Sequence, residues 1–165
     1  MDDRAARLIE EVAVGKLQAR YGDAVSRRAW DEVAAMFTAG ARVSLDLRGR
    51  TRELVGGDEI AAFIAEAVER FELFEFALLN AVADVGPSLD RATGRMYIWE
   101  IRQEAGGPQS NAFGCYDDDY ERDADGTWRF AARRYATVAR SDGDVPGLPS
   151  MTVFGVPGAS GASTL

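Results

Sequence analysis

Apolar residues recur at helical steps through the start of the chain, where Leu8, Val12, Leu17, Tyr21, Ala24 and Val25 run with no proline between Asp3 and Phe37. That spacing predicts a long amphipathic helix. Residues 27–29 interrupt the stripe, and Trp30, Val33, Ala34 and Phe37 then repeat as a short second helix would, ended by Ala39-Gly40. From 42 to 47 the period changes to two, with Val43, Leu45 and Leu47 alternating against Arg42, Ser44 and Asp46, as in a half-buried strand. Gly49 and Gly56-Gly57 break the chain. A clear helical stripe follows in Ile60, Phe63, Ile64, Ala67, Val68 and Phe71, with acidic residues beginning at Asp58 in the first turn, where the helix dipole favours them.

Beyond Phe71 the texture becomes β-branched and aromatic in four long segments, 73–85, 92–104, 110–122 and 127–140, which read as antiparallel strands. Gly86-Pro87-Ser88, Gly106-Gly107-Pro108 and Asp125-Gly126 separate them, each a turn former, and Asp-Gly is a strong hairpin signal. Helices come first and sheet second, an α+β order. The pattern divides the chain into a domain at 1–140 and a tail at 141–165 that holds five glycines and three prolines. Such a tail is expected to be mobile or draped over the domain, with 151–154 a short apolar run able to fold back onto it.

Composition narrows the chemistry. The 165 residues, 47% hydrophobic and 28% charged, suit one globular core. The net charge of −8 argues against nucleic acid as a partner. The first twelve residues mix charges into the apolar positions, so neither a signal peptide nor a spanning segment is expected; a cytoplasmic protein with no membrane partner is. There is no histidine and one cysteine, Cys115, so zinc sites of the usual His and Cys ligands, haem ligated by His or Cys, iron–sulfur clusters, a disulfide within the chain and histidine-based triads are ruled out by count. Gly56-Gly57 lacks the spacing of a nucleotide-binding loop. Neither metal nor cofactor is expected, which leaves Asp, Glu, Tyr, Lys16 or water to move protons.

The order of elements, together with Tyr21, Trp30-Asp31, the strand at 41–47, Gly57-Asp58-Glu59-Ile60, Asn80, Gly114-Cys115-Tyr116, and the run from Asp125 to Phe130 with Arg133-Arg134, resembles the SnoaL-like group of the nuclear-transport-factor-two-like superfamily. The resemblance spans about 8–138. It implies a cone-shaped α+β barrel, three helices packed on a curved, mostly antiparallel sheet around one pocket. It also implies the activities found in that superfamily, which include polyketide cyclases, dehydratases and isomerases.

The family's proton-transfer positions map onto unusual residues. Tyr21 matches the helix tyrosine, but the acid five residues later is Ser26, the acid before Trp30 is Ala29, the first-strand position is Leu45, and the sheet positions for histidine or acid are Phe76 and Met96. Arg134 matches the arginine of the last strand, with Arg133 beside it. The pocket is therefore expected to be largely apolar.

If Met96 faces it, alternation brings Ile98 and Glu100 to the same face and sends Tyr97 and Trp99 to the other. Glu100 becomes the leading acid, because desolvation in an apolar pocket would raise its pKa and let it serve as acid or base near neutral pH; the other reading is that it sits near the strand end in solvent or pairs with Arg102 or Arg134. Within Asp117-Asp118-Asp119 at least one residue must face inward, and Cys115, Asp117 and Asp119 share a face. The expected catalytic set is Tyr21, Glu100, Asp117 and Arg134; the expected substrate contacts are Trp30, Leu45, Phe63, Phe76, Asn80, Met96, Ile98 and Cys115. The function expected from these is binding of a hydrophobic, polyketide- or steroid-like molecule and its cofactor-independent cyclisation, isomerisation or dehydration. The alternative is a domain that binds a ligand or partner and catalyses nothing. Tyr97, Trp99 and Ile101 on the outer face of the sheet suggest a homodimer formed through it.

Overall fold

The computed structural model describes residues 3–46, 50–141 and 151–153. Helix α1 (Asp3–Ser26) buries Val14, Leu17, Gln18, Tyr21, Ala24 and Val25 on one stripe. The stripe does not extend to its start. Leu8 and Val12, expected to be part of it, are more than half exposed, because the inward stripe that packs on the core begins only at Val14. Arg28, with φ 58°, closes the helix, and α2 (Trp30–Ala35) follows at once.

Strand β1 (Phe37–Asp46) begins five residues earlier than alternation predicts, so Phe37 belongs to the sheet and Ala39-Gly40 falls within a register shift of β1 against β6 instead of ending a helix. Strand β2 (Thr51–Val55), which the sequence pattern did not reveal, returns antiparallel along β1. It buries only Leu54, so its sequence carries almost no period-two signal.

Helix α3 (Gly57–Glu69) starts where α2 crosses it. A Cβ on Gly57 would stand 2.1 Å from the carbonyl oxygen of Ala34, so only glycine permits the crossing. Four long strands complete the sheet: β3 (Phe71–Val85), β4 (Arg91–Glu104), β5 (Gln109–Arg122) and β6 (Trp128–Ser141).

The strand order is β2-β1-β6-β5-β4-β3, and among the described residues only the β1–β6 pair is parallel. The sheet curves without closing, and the helices fill its concave side. This is the cone-shaped α+β architecture expected. Several bulges set the curvature, and each reverses which residues face inward. On β3, Leu78 pairs with Ile98 and Asn80 with Tyr97, leaving Leu79 as the extra residue. On β6, Ala131 and Val138 are the extra residues opposite β5.

Helix α1 is pinned to β6 by the Trp128 indole N–H, which donates to Glu10 at 2.8 Å. Most of the 141–165 tail lies outside the described residues. The exceptions are Ser141, which is buried as the last residue of β6, and β7 (Met151–Val153), part of the apolar 151–154 run, which pairs antiparallel with the end of β6.

Candidate functional site

The concave side encloses a cavity of about 750 Å³. Small residues make the room. On β5 the inward positions 112 and 114 are Ala and Gly, and a Cβ on Gly114 would lie 2.3 Å from the Tyr135 ring, which occupies that space. Val25 from α1, Val43, Leu45 and Leu54 from β1 and β2, Ile60, Phe63 and Ile64 from α3, and Phe71, Phe74 and Phe76 from β3 supply the apolar surface. Two polar groups interrupt it.

The first is the floor. Arg133 is 2% exposed and Asp118 is fully enclosed. The guanidinium meets the carboxylate with both arms, Nε to Oδ1 at 2.7 Å and Nη2 to Oδ2 at 2.9 Å. Tyr120 donates its hydroxyl to Asp118 at 3.0 Å and accepts from the Gln18 amide at 2.9 Å. The guanidinium carbon lies 4.3 Å from the ring centres of Tyr21 and Tyr116 and 4.1 Å from that of Phe130, so the cation is held by π faces as well as by charge. One donor is left over: Nη1 of Arg133 has no hydrogen-bond partner. Burial raises the Tyr21 and Tyr116 phenols above their usual values and keeps both protonated, as hydrogen-bond donors.

The second is the wall formed by Glu100, Arg102, Tyr135, Thr137 and Arg140. Glu100 and Arg140 flank Ala112 across three neighbouring strands, and its small side chain leaves the space between them open. Desolvation raises the Glu100 pKa above its ordinary value, and Arg102 and Arg140 only partly offset this. The nearest ion pair, Arg102 to Glu100, is long at 3.6 Å. The Nε atoms of Arg102 and Arg140 are buried without an acceptor. A carboxyl so placed keeps its proton to higher pH than an ordinary surface glutamate.

Of the residues expected at the site, Tyr21, Glu100, Leu45, Phe63 and Phe76 line the cavity. Met96 and Ile98 are fully buried beside it, with Met96 Sδ 3.4 Å from Arg133 Nη2. Trp30 is partly buried against the core. None of Met96, Ile98 and Trp30 lines the cavity itself, and four further placements differ from expectation. Asn80 is exposed, because the bulge at Leu79 turns it to the convex face opposite Tyr97. Arg134 is exposed and 3.8 Å from Asp119, because the bulge at Ala131 gives the inward position to Arg133. Asp117 pairs with Arg95 at 2.7 Å on the convex face, and Cys115, buried there, lies opposite Tyr97 in the ladder. The inward aspartate is Asp118.

The lining is also less apolar than expected, since arginines and tyrosines share it with aliphatic groups. Sequence reasoning gave no site role to Arg133 or Arg140, considered Arg102 only as a partner for Glu100, and chose Asp117 over Asp118 as the inward aspartate. The available signal was that an aspartate forced inward needs a buried cation, and Arg133 was adjacent to the residue chosen.

Ser26 and Phe76, which stand where the family resemblance implies an acid and a histidine, touch each other: the Phe76 N–H donates to Ser26 Oγ at 3.0 Å. The pair ties α1 to β3.

Comparison with known proteins agrees with this architecture. A family model described as the SnoaL-like domain matches residues 6–134. No curated protein matches the chain. A scytalone dehydratase-like protein from Novosphingobium aromaticivorans DSM 12444 superposes with a TM-score of 0.77 at 20% identity, covering 96% of this chain and 99% of that one. The hexachlorocyclohexane dehydrochlorinase LinA-type3 from Novosphingobium barchaimii LL02 gives 0.69 at 19% identity, over 81% of this chain and 90% of its own. A protein of unknown function from Mycobacterium tuberculosis gives 0.65 at 23%, over 79% and 72%. At these identities the likeness concerns the fold.

Proposed function

Because this chain belongs to the SnoaL-like domain family, we propose that it binds a hydrophobic small molecule, of polyketide or steroid type, in the concave cavity and catalyses a cofactor-independent cyclisation, isomerisation or dehydration. The observation that carries this reading is Glu100, a cavity carboxyl whose pKa is raised by desolvation. It takes or returns a proton at a carbon or oxygen of the ligand. Arg133, through its unpartnered Nη1, and the protonated phenols of Tyr21 and Tyr116 hold the oxygen on which charge develops. The apolar surface of Phe63, Phe74 and Phe76 presses the carbon skeleton into a reactive shape. Asp117, Arg134, Asn80 and Cys115 have no part in this scheme, because they lie on the convex face.

The test is solvent exchange at acidic carbon. In D₂O, 2-tetralone and its hydroxylated relatives gain deuterium beside the carbonyl faster with the wild-type protein than with Glu100→Gln, as read by proton NMR. Equal rates for the two proteins across the panel contradict the role given to Glu100.

A second reading, a domain that holds its ligand and catalyses nothing, is favoured by the Ser26–Phe76 contact. There a backbone hydrogen bond occupies the place of a proton-transfer pair. Saturable binding with neither exchange nor turnover at any pH would support it.

A homodimer remains part of the proposal. Trp99 stacks on Phe113 at 5.5 Å on the convex face, beside half-buried Tyr97 and Ile101. Sedimentation at micromolar concentration is expected to give the mass of two chains, and the mass of one chain would refute it.

A further inference from the structure

Resting on the small-molecule reading above, we infer that the cavity selects ligands that carry a negatively charged oxygen group, such as a carboxylate, on an apolar ring body, and that Arg102 and Arg140 hold that charge. The chain as a whole carries −8, yet six arginines and two glutamates line this one cavity. Their charges are not equally satisfied. Arg133 is neutralised by Asp118 with two hydrogen bonds, and Arg70 pairs with Glu104 at 3.4 Å. Arg140 has no carboxylate within ion-pair distance among the described residues, and Arg102 has only Glu100, at 3.6 Å. One carboxylate therefore stands against two guanidiniums.

The buried Nε donors of both arginines lack an acceptor, an arrangement that costs stability until something supplies one. Water or a ligand entering the cavity can do so. A carboxylate fits best, because its two oxygens match the fork of a guanidinium and its charge balances the excess. The same wall provides the apolar half of the contact, since the guanidinium of Arg102 lies 5.7 Å from the Phe71 ring centre. A flat ring with an acidic substituent would lay the ring against the phenylalanines and the acid between Arg102 and Arg140. Arg133, being paired, would meet a neutral oxygen at the far end.

The probes are 8-anilino-1-naphthalenesulfonate and N-phenyl-1-naphthylamine, which share one apolar skeleton and differ by the anionic group. Their affinities are measured by fluorescence titration of the full chain. Arg102→Gln and Arg140→Gln are each expected to weaken the sulfonate by about tenfold, the effect of removing a charge-assisted hydrogen bond, and to leave the neutral amine within about twofold. Raising salt should weaken the sulfonate alone. Arg134→Gln, on the convex face, should change neither. If a wall variant unfolds, Arg52→Gln at the exposed rim serves instead, with a smaller selective loss of the sulfonate expected. Equal losses of both probes, or no loss of the sulfonate in any cavity variant, would overturn the anion preference while leaving the hollow as a binding site. Failure of both probes to bind the wild-type protein would overturn the binding reading along with it.

Discussion

Two carboxylate–arginine groups stand at the same cavity, one reaching it only through its arginine, and are built in opposite ways. At the floor, Asp118 and Arg133 are 0% and 2% exposed, joined by two short hydrogen bonds, backed by Tyr120 and Gln18, and sandwiched among rings. On the wall, Glu100 and Arg102 are 18% and 12% exposed, sit 3.6 Å apart, and leave two Nε donors without acceptors. A buried pair whose hydrogen bonds are nearly complete fixes geometry. One left incomplete keeps interaction energy for a guest and keeps its carboxyl titratable. The floor therefore defines the shape of the hollow, and the wall acts on what enters it.

Breaking the floor should produce the largest effect. Asp118→Ala strands a buried guanidinium and is expected to cost about 3–5 kcal/mol in denaturant unfolding. Adding Arg133→Met to that variant should recover much of the loss, because two apolar groups have no charge to desolvate. Gly114→Val drives a side chain into the Tyr135 ring and should cost about 1–3 kcal/mol by the same measurement, while shrinking the cavity. Tyr120→Phe removes one hydroxyl from the floor network and should cost about 1 kcal/mol.

The wall predicts a change of the opposite sign. Folding disfavours the charged form of Glu100, so its pKa is higher in the folded chain than in the unfolded one. Its contribution to stability is therefore fully present below the ordinary value of 4.5 and is lost as pH rises through the raised folded value. Glu100→Gln should equal or exceed the wild type in stability at neutral pH, match it in acid, and flatten this part of the pH profile measured by thermal melts. Smallest of all, Arg134→Gln should shift stability by no more than about 0.5 kcal/mol, since its side chain is 61% exposed.

The contrast also explains what the sequence could reveal. Helices α1, α2 and α3 and the four long strands were legible because their apolar periods persist over many residues and their separators are strong turn formers. Strand β2 was not legible, because it buries one side chain. Within the site, Tyr21, Glu100, Leu45, Phe63 and Phe76 were placed at the cavity by helical stripe, alternation and family resemblance together. Asn80 and Arg134 were misplaced for one shared reason. A single extra residue at Leu79 or Ala131 reverses every inward assignment beyond it, and nothing in the local sequence marks those positions. Asp118 was obscured differently: three consecutive aspartates look alike until the register with Arg133 is known. Arg102 is two residues from Glu100 on the same strand and was within reach of alternation, whereas Arg140 was hidden, because it comes from a distant segment that only the pairing of β6 with β5 brings beside Glu100.

The most direct test is the titration of Glu100 itself, followed through the side-chain carboxyl ¹³C resonance that disappears in Glu100→Gln. A midpoint clearly above 4.5, matching the pH range over which the wild-type protein loses stability relative to that variant, is the predicted result. A midpoint at or below 4.5 would show a carboxylate already satisfied by Arg102 and Arg140, and the distinction between a fixed floor and a working wall would be lost.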